Sequence, residues 1–105
     1  MDEALRVLAE IGLPFAYHHF AEGESPAPPF ICYLTPESDN FAADGRVYHR
    51  LGAFHIELYS DRKDPELETR VEAALDARGV FYNKTETWIE SEKLYEVLYQ
   101  FELEV

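Results

Sequence analysis

The sequence holds one cysteine, one methionine, one tryptophan and nine basic residues against 21 acidic ones in 105. A lone thiol, Cys32, cannot close an internal disulfide, which excludes a secreted disulfide scaffold and suits a reducing cytoplasm. The shortage of Lys and Arg leaves a formal charge of −12 at pH 7. Affinity for nucleic acid comes largely from Lys and Arg displacing counterions from phosphates, so no phosphate-neutralising patch is expected, and an anionic membrane surface would repel the chain. No stretch approaches the roughly 18 apolar residues of a membrane span. The first residues, with Asp2 and Glu3, lack the basic start of a signal peptide, so the chain is expected to stay where it is made. Repeats, low-complexity tracts and long linkers are also missing, and the expectation is one domain over residues 1–105.

What is present is enough apolar material for a core, at 47% hydrophobic and 14% aromatic residues. Asp2 to Ile11 reads as a helix with Leu5, Leu8 and Ala9 on its stripe, Ala4 and Ile11 beside them, and Gly12 as its stop. Leu13 to Phe20 turns extended and aromatic, with Leu13, Phe15 and Tyr17 on one face; the proline-bearing 21–29 segment connects it to a strand at Phe30 to Leu34. Thr35 to Gly45 is polar apart from Phe41 and its alanines, and reads as the long tip of a hairpin. Arg46 to Leu51 and Ala53 to Tyr59 alternate as strands do, turning Phe54, Ile56 and Leu58 inward, with Gly52 as a bulge or bend. Asp64 and Pro65 open a second helix as N-cap and first residue; Glu66 and Glu68 suit its positive end, Leu67, Val71, Ala74 and Leu75 form its buried stripe, and Gly79 ends it. Val80 to Asn83 starts a strand that Trp88 and Ile89 prolong after a polar break. In the last strand Tyr95, Val97, Tyr99, Phe101, Leu103 and Val105 share one face, with Glu96, Gln100, Glu102 and Glu104 on the other. The expected class is α+β: an antiparallel or mixed sheet of about five strands, two helices on one face, order α-β-β-β-α-β-β, and a long hairpin loop near 35–50.

The chemistry-bearing residues are sparse. His18 and His19 invite a metal reading, but neighbours in a strand point to opposite faces, and no ligand spacing links them to His49 or His55, so no metal is expected. Cys32, in an apolar strand without an adjacent base, reads as core. No phosphate-cradling loop, nucleophile elbow or paired Cys/His motif occurs, so neither catalysis nor a cofactor is expected. Asn83-Lys84-Thr85 matches a glycosylation sequon and Pro26-Ala27-Pro28-Pro29 a PxxP ligand, both at chance level. Phe41 is the pointed residue: an aromatic within a polar loop either folds back on its own hairpin or anchors in a neighbour's pocket.

The helix DEALRVLAEIGLPFAY, the segment PPFICYL, the loop SDNFAADGRVY, the strand-into-helix HIELYSDRKDPELETRVEAAL and the closing EKLYEVLYQFELEV together resemble the tail terminator, or tail completion, proteins of the head-to-tail joining region of long-tailed bacteriophages and prophages. The resemblance implies a non-enzymatic subunit that forms a ring, commonly of six, at the end of the tail tube. Such a ring stops tube growth and offers a surface for head joining. It implies itself, tail tube protein and head-tail connector proteins as partners, DNA passing without specific binding, and a place in the virion tail or neck after assembly in the host cytoplasm. The hairpin arm would carry the oligomer interface through Ser38, Asp39, Asn40, Phe41, Asp44 and Arg46. An acidic lumen or exposed face would fall to Glu96, Glu102 and Glu104. The alternatives are another head-tail connector component or, from a different class, an acidic DNA-mimic inhibitor of a host nucleic-acid-binding protein, motivated by the −12 charge.

Overall fold

The computed structural model describes the backbone of residues 2–21, 23–35, 38–43 and 46–104, and side chains from Ala4 to Thr35 except residue 22 and from Gly52 to Leu103. The elements run α1 (Asp2–Ile11), β1 (Phe15–Tyr17), β2 (Phe30–Leu34), β3 (Ser38–Ala43), β4 (Arg46–Ser60), α2 (Pro65–Asp76), β5 (Tyr82–Ile89) and β6 (Leu94–Glu104). The α+β class and mixed sheet are as expected. Five strands lie in the order β1-β2-β4-β6-β5, and β3 pairs with β4 beside that path. β1 and β2 are parallel; every other pairing is antiparallel.

The sheet is amphipathic because strand side chains alternate faces. Phe54, Ile56 and Leu58 of β4 pair with Phe101, Tyr99 and Val97 of β6, and these six form one core with Ala4, Val7, Leu8 and Ile11 of α1 and Val71, Ala74 and Leu75 of α2. Both helices therefore cover one face. The α1 stripe is rotated from the expected one: positions 4, 7, 8 and 11 follow the i, i+3, i+4, i+7 rule, while Leu5, at 39% exposure, and Ala9 sit one step round towards water. Gly12 ends α1 at φ 80, and a Cβ there would lie 3.2 Å from Nη2 of Arg70, which donates to the Ile11 carbonyl. α2 begins as expected, the Leu67 amide donating to Asp64 Oδ1 at 3.3 Å.

Three readings of the strands change. The 35–45 stretch is not all loop: Ser38–Ala43 is a strand, made possible by small and β-tolerant residues opposite 46–52. Gly52 neither bulges nor bends; β4 runs through it, paired with Ser38 on one side and Leu103 on the other. The register shift falls instead at Phe41/Ala42, opposite His49 and Val47, leaving Tyr48 as the extra residue. Finally, Asn83 to Thr87 does not break β5, since an edge strand keeps polar residues in water while its ladder to β6 is intact.

Candidate functional site

The arm comes first, because topology alone builds it. β6 pairs with β4 only from Leu51 onward, so Arg46–Arg50 and its partner strand project beyond the main sheet. At about 3.3 Å per residue those five residues reach roughly 16 Å. At the same rise the fifteen-residue β4 is about as long as the 50 Å longest extent of the molecule. Ser38, Asp39, Asn40, Phe41 and Arg46 all lie on this hairpin, at register positions opposite Gly52, Leu51, Arg50, His49 and Ala43. Their side chains, Phe41's included, lie outside the described residues, as does Asp44 altogether.

The open face of the sheet holds a cluster that sequence reasoning missed. The Tyr59 hydroxyl lies 2.8 Å from Glu96 Oε2 and 3.1 Å from Glu57 Oε1, so one donor serves two half-buried carboxylates. Burial, followed by the Glu96 charge, pushes the Glu57 carboxyl above its ordinary range, against opposing help from Tyr59 and His18. Burial first and the hydrogen bond to Glu96 second raise the Tyr59 hydroxyl far above neutral pH, so it stays a donor. Buried Cys32, pushed up to about 11 by desolvation and by the same two carboxylates, remains a thiol. The only sequence signal was spacing: Glu57 and Tyr59 are two apart on a strand, facing the same way.

Glu96 is thus bound within its own sheet face, whereas Glu102 is exposed and Glu104 pairs with Leu51, its side chain outside the described residues. His55 is 3.3 Å from Gln100 across β4 and β6. Beside them an open groove of about 830 Å³ runs past Asn83 and Glu102 to Arg78, Val80 and Phe81. Phe81 is 96% exposed, and Trp88, at the other end of β5, 42%. With Tyr82 turned to the core opposite Phe101, Phe81 has to face away.

The histidine geometry corrects the strand argument. β1 ends at Tyr17, His18 adopts φ 65, and the two imidazoles fold together with Nδ1 atoms 3.0 Å apart. Among the described residues, however, no group of three or more His, Cys, Asp or Glu side chains could hold a metal ion.

Part of the acidity is matched by bases. Glu68, only 5% exposed, takes Lys63 at 2.8 Å and Lys84 at 2.7 Å. Burial alone would raise its pKa, but the two lysines outweigh that and hold it below the usual carboxylate range. Lys84 also binds Glu72, Lys63 binds Glu86, and Arg78 binds Glu10. No described helix is long and apolar enough to cross a membrane.

Neither a protein-family model nor a curated protein matches the chain. Its fold is similar to that of a chain from the virion of a native gene transfer agent particle. That match has a TM-score of 0.56 at 11% identity, covering 94% of this chain and 84% of the other.

Proposed function

We propose that this chain is a non-enzymatic structural protein of a phage-like particle, a tail terminator whose ring ends the tail tube and presents the head-joining surface. The observation that carries the reading is the fold shared over nearly the whole chain with a gene transfer agent virion component. The projecting β3–β4 arm supports it, since identical subunits in a ring need a heterologous contact and an arm that leaves its own sheet can supply one. On this reading Ser38, Asp39, Asn40, Phe41, Asp44 and Arg46 belong to the contact, with Phe41 as anchor. Glu102 and Glu104 would turn an acidic surface to passing DNA, which phosphate repulsion keeps sliding. Glu96 joins them only at the margin, because it is occupied by Tyr59.

The DNA-mimic alternative would need carboxylates arrayed like phosphates, and Glu10, Glu68, Glu72 and Glu86 are instead neutralised by bases. Light scattering and electron microscopy of the purified chain, alone and with tail tube protein, test the proposal. Rings and capped tubes are expected; a strict monomer that never caps a tube would refute it.

A further inference from the structure

We propose that successive copies of this chain join edge to edge, the unpaired side of β3 in one copy adding to the unpaired side of β5 in the next. The inference rests on the ring reading above and names the contact that closes the ring.

Topology supplies the first argument. Leu51 and Gly52 of β4 are paired at once to Asp39 and Ser38 of β3 and to Glu104 and Leu103 of β6. A strand has two sides, so β3 and β6 flank β4 oppositely, and β5 lies beyond β6. Among the described residues β3 pairs only with β4, and β5 only with β6. Besides the outer side of the three-residue β1, the described residues therefore offer two longer open edges, six and eight residues long, facing opposite ways. An unpaired edge is a template for another strand, and natural proteins normally blunt it. Two different edges facing apart make a head-to-tail contact, which generates a ring when the rotation closes.

Charge supplies the second. Residues 38–50 contain Asp39, Asp44, Arg46 and Arg50, and β5 contains Lys84 and Glu86, so these 21 positions sum to zero while the other 84 carry the whole −12. Contact through most other surfaces sets acid against acid, at distances within the screening length of about 8 Å. The β5 charges are also matched in place, Lys84 by Glu68 and Glu72, Glu86 by Lys63. The third argument is apolar area: Phe81 stands just before β5 and Trp88 near its end, and both are exposed. Strand addition would cover them, and buried aromatics of this kind anchor interfaces.

The test uses the full chain carrying Asn40→Cys or Thr85→Cys, mid-strand on β3 and β5, treated with a short bismaleimide; Cys32 is buried, so the wild-type chain is the blank. Mixing the two variants is expected to give a covalent dimer that neither gives alone, and adding Phe81→Ser to the Thr85→Cys chain should lower its yield about tenfold, the scale of a hot-spot residue. If either variant melts below wild type, Asp39→Cys with Thr87→Cys replaces the pair. Rings that form without the mixed product would overturn the edge contact and leave the ring standing. Chains that stay monomeric at every concentration, with or without tail tube protein, would overturn both.

Discussion

The two faces of this sheet share one backbone and differ in what lies over them. On β4, Phe54, Ile56 and Leu58 are sealed beneath α1 and α2, while Ala53, His55, Glu57 and Tyr59, alternating with them, are half-buried and polar in part. The covered face satisfies its needs by packing. The open face does so by sharing: one tyrosine hydroxyl for two carboxylates, one imidazole against one amide. Stability should therefore reside on the first, leaving the second tunable. The sharpest break of that contrast is Phe54→Ala. Phe54 is 3% exposed and stacks on Phe101 with centroids 6.0 Å apart. Truncation should cost about 3–5 kcal/mol, read as a large drop in denaturation midpoint without a change in slope.

Next comes the border between helix and sheet, where Glu68 of α2 meets Lys84 of β5. Replacing Lys63 and Lys84 together by Met strands a buried carboxylate and should cost about 2–3 kcal/mol, below the full value for a buried pair because both lysines are partly in water. The pH dependence has a definite sign. The folded pKa of Glu68 is lowered, so its contribution is present above the ordinary carboxylate value and is lost as pH falls through the folded one. The double variant should therefore show a weaker acid-induced loss of stability than wild type.

Glu57, on the open face, should respond in the opposite sense. Its folded pKa is raised, so the native state keeps a proton that the unfolded chain gives up, and stability falls as pH climbs through that range. Glu57→Gln keeps an acceptor for Tyr59 and removes the repulsion with Glu96. Discounted for solvent screening, the gain at pH 7 should be about 0.5 kcal/mol, vanishing near pH 4 in a melting series.

Element type was legible wherever one face was strongly biased. β6 could be read from Val97, Tyr99, Phe101 and Leu103, and α2 from Asp64-Pro65, because burial and capping each leave a periodic or positional mark. Less legible was anything decided by neighbours distant in sequence. Leu5 and Val7 exchange expected roles because the phase of a ten-residue helix is set by the sheet it meets. The Glu57–Tyr59–Glu96 cluster joins residues 37 apart, and the burial of Glu68 depends on lysines from two other segments. Strand β3 was hidden because its partner, not its hydrophobicity, holds it extended.

The smallest effect on stability belongs to Phe81, and it separates a residue kept for folding from one kept for contact. At 96% exposure its ring touches too little of its own chain to matter for the fold, so Phe81→Ser should shift stability by no more than about 0.5 kcal/mol. A phenyl group left in water costs the monomer nothing to remove and gains solubility. If the proposed edge contact forms, the neighbouring copy covers this ring, and its loss is felt there and not in the monomer. Melting curves that superimpose, together with sedimentation showing weaker self-association, are the expected pair of results. A marked loss of melting temperature would instead make Phe81 a folding residue and erase the contrast between the sealed and open sides at its most exposed point.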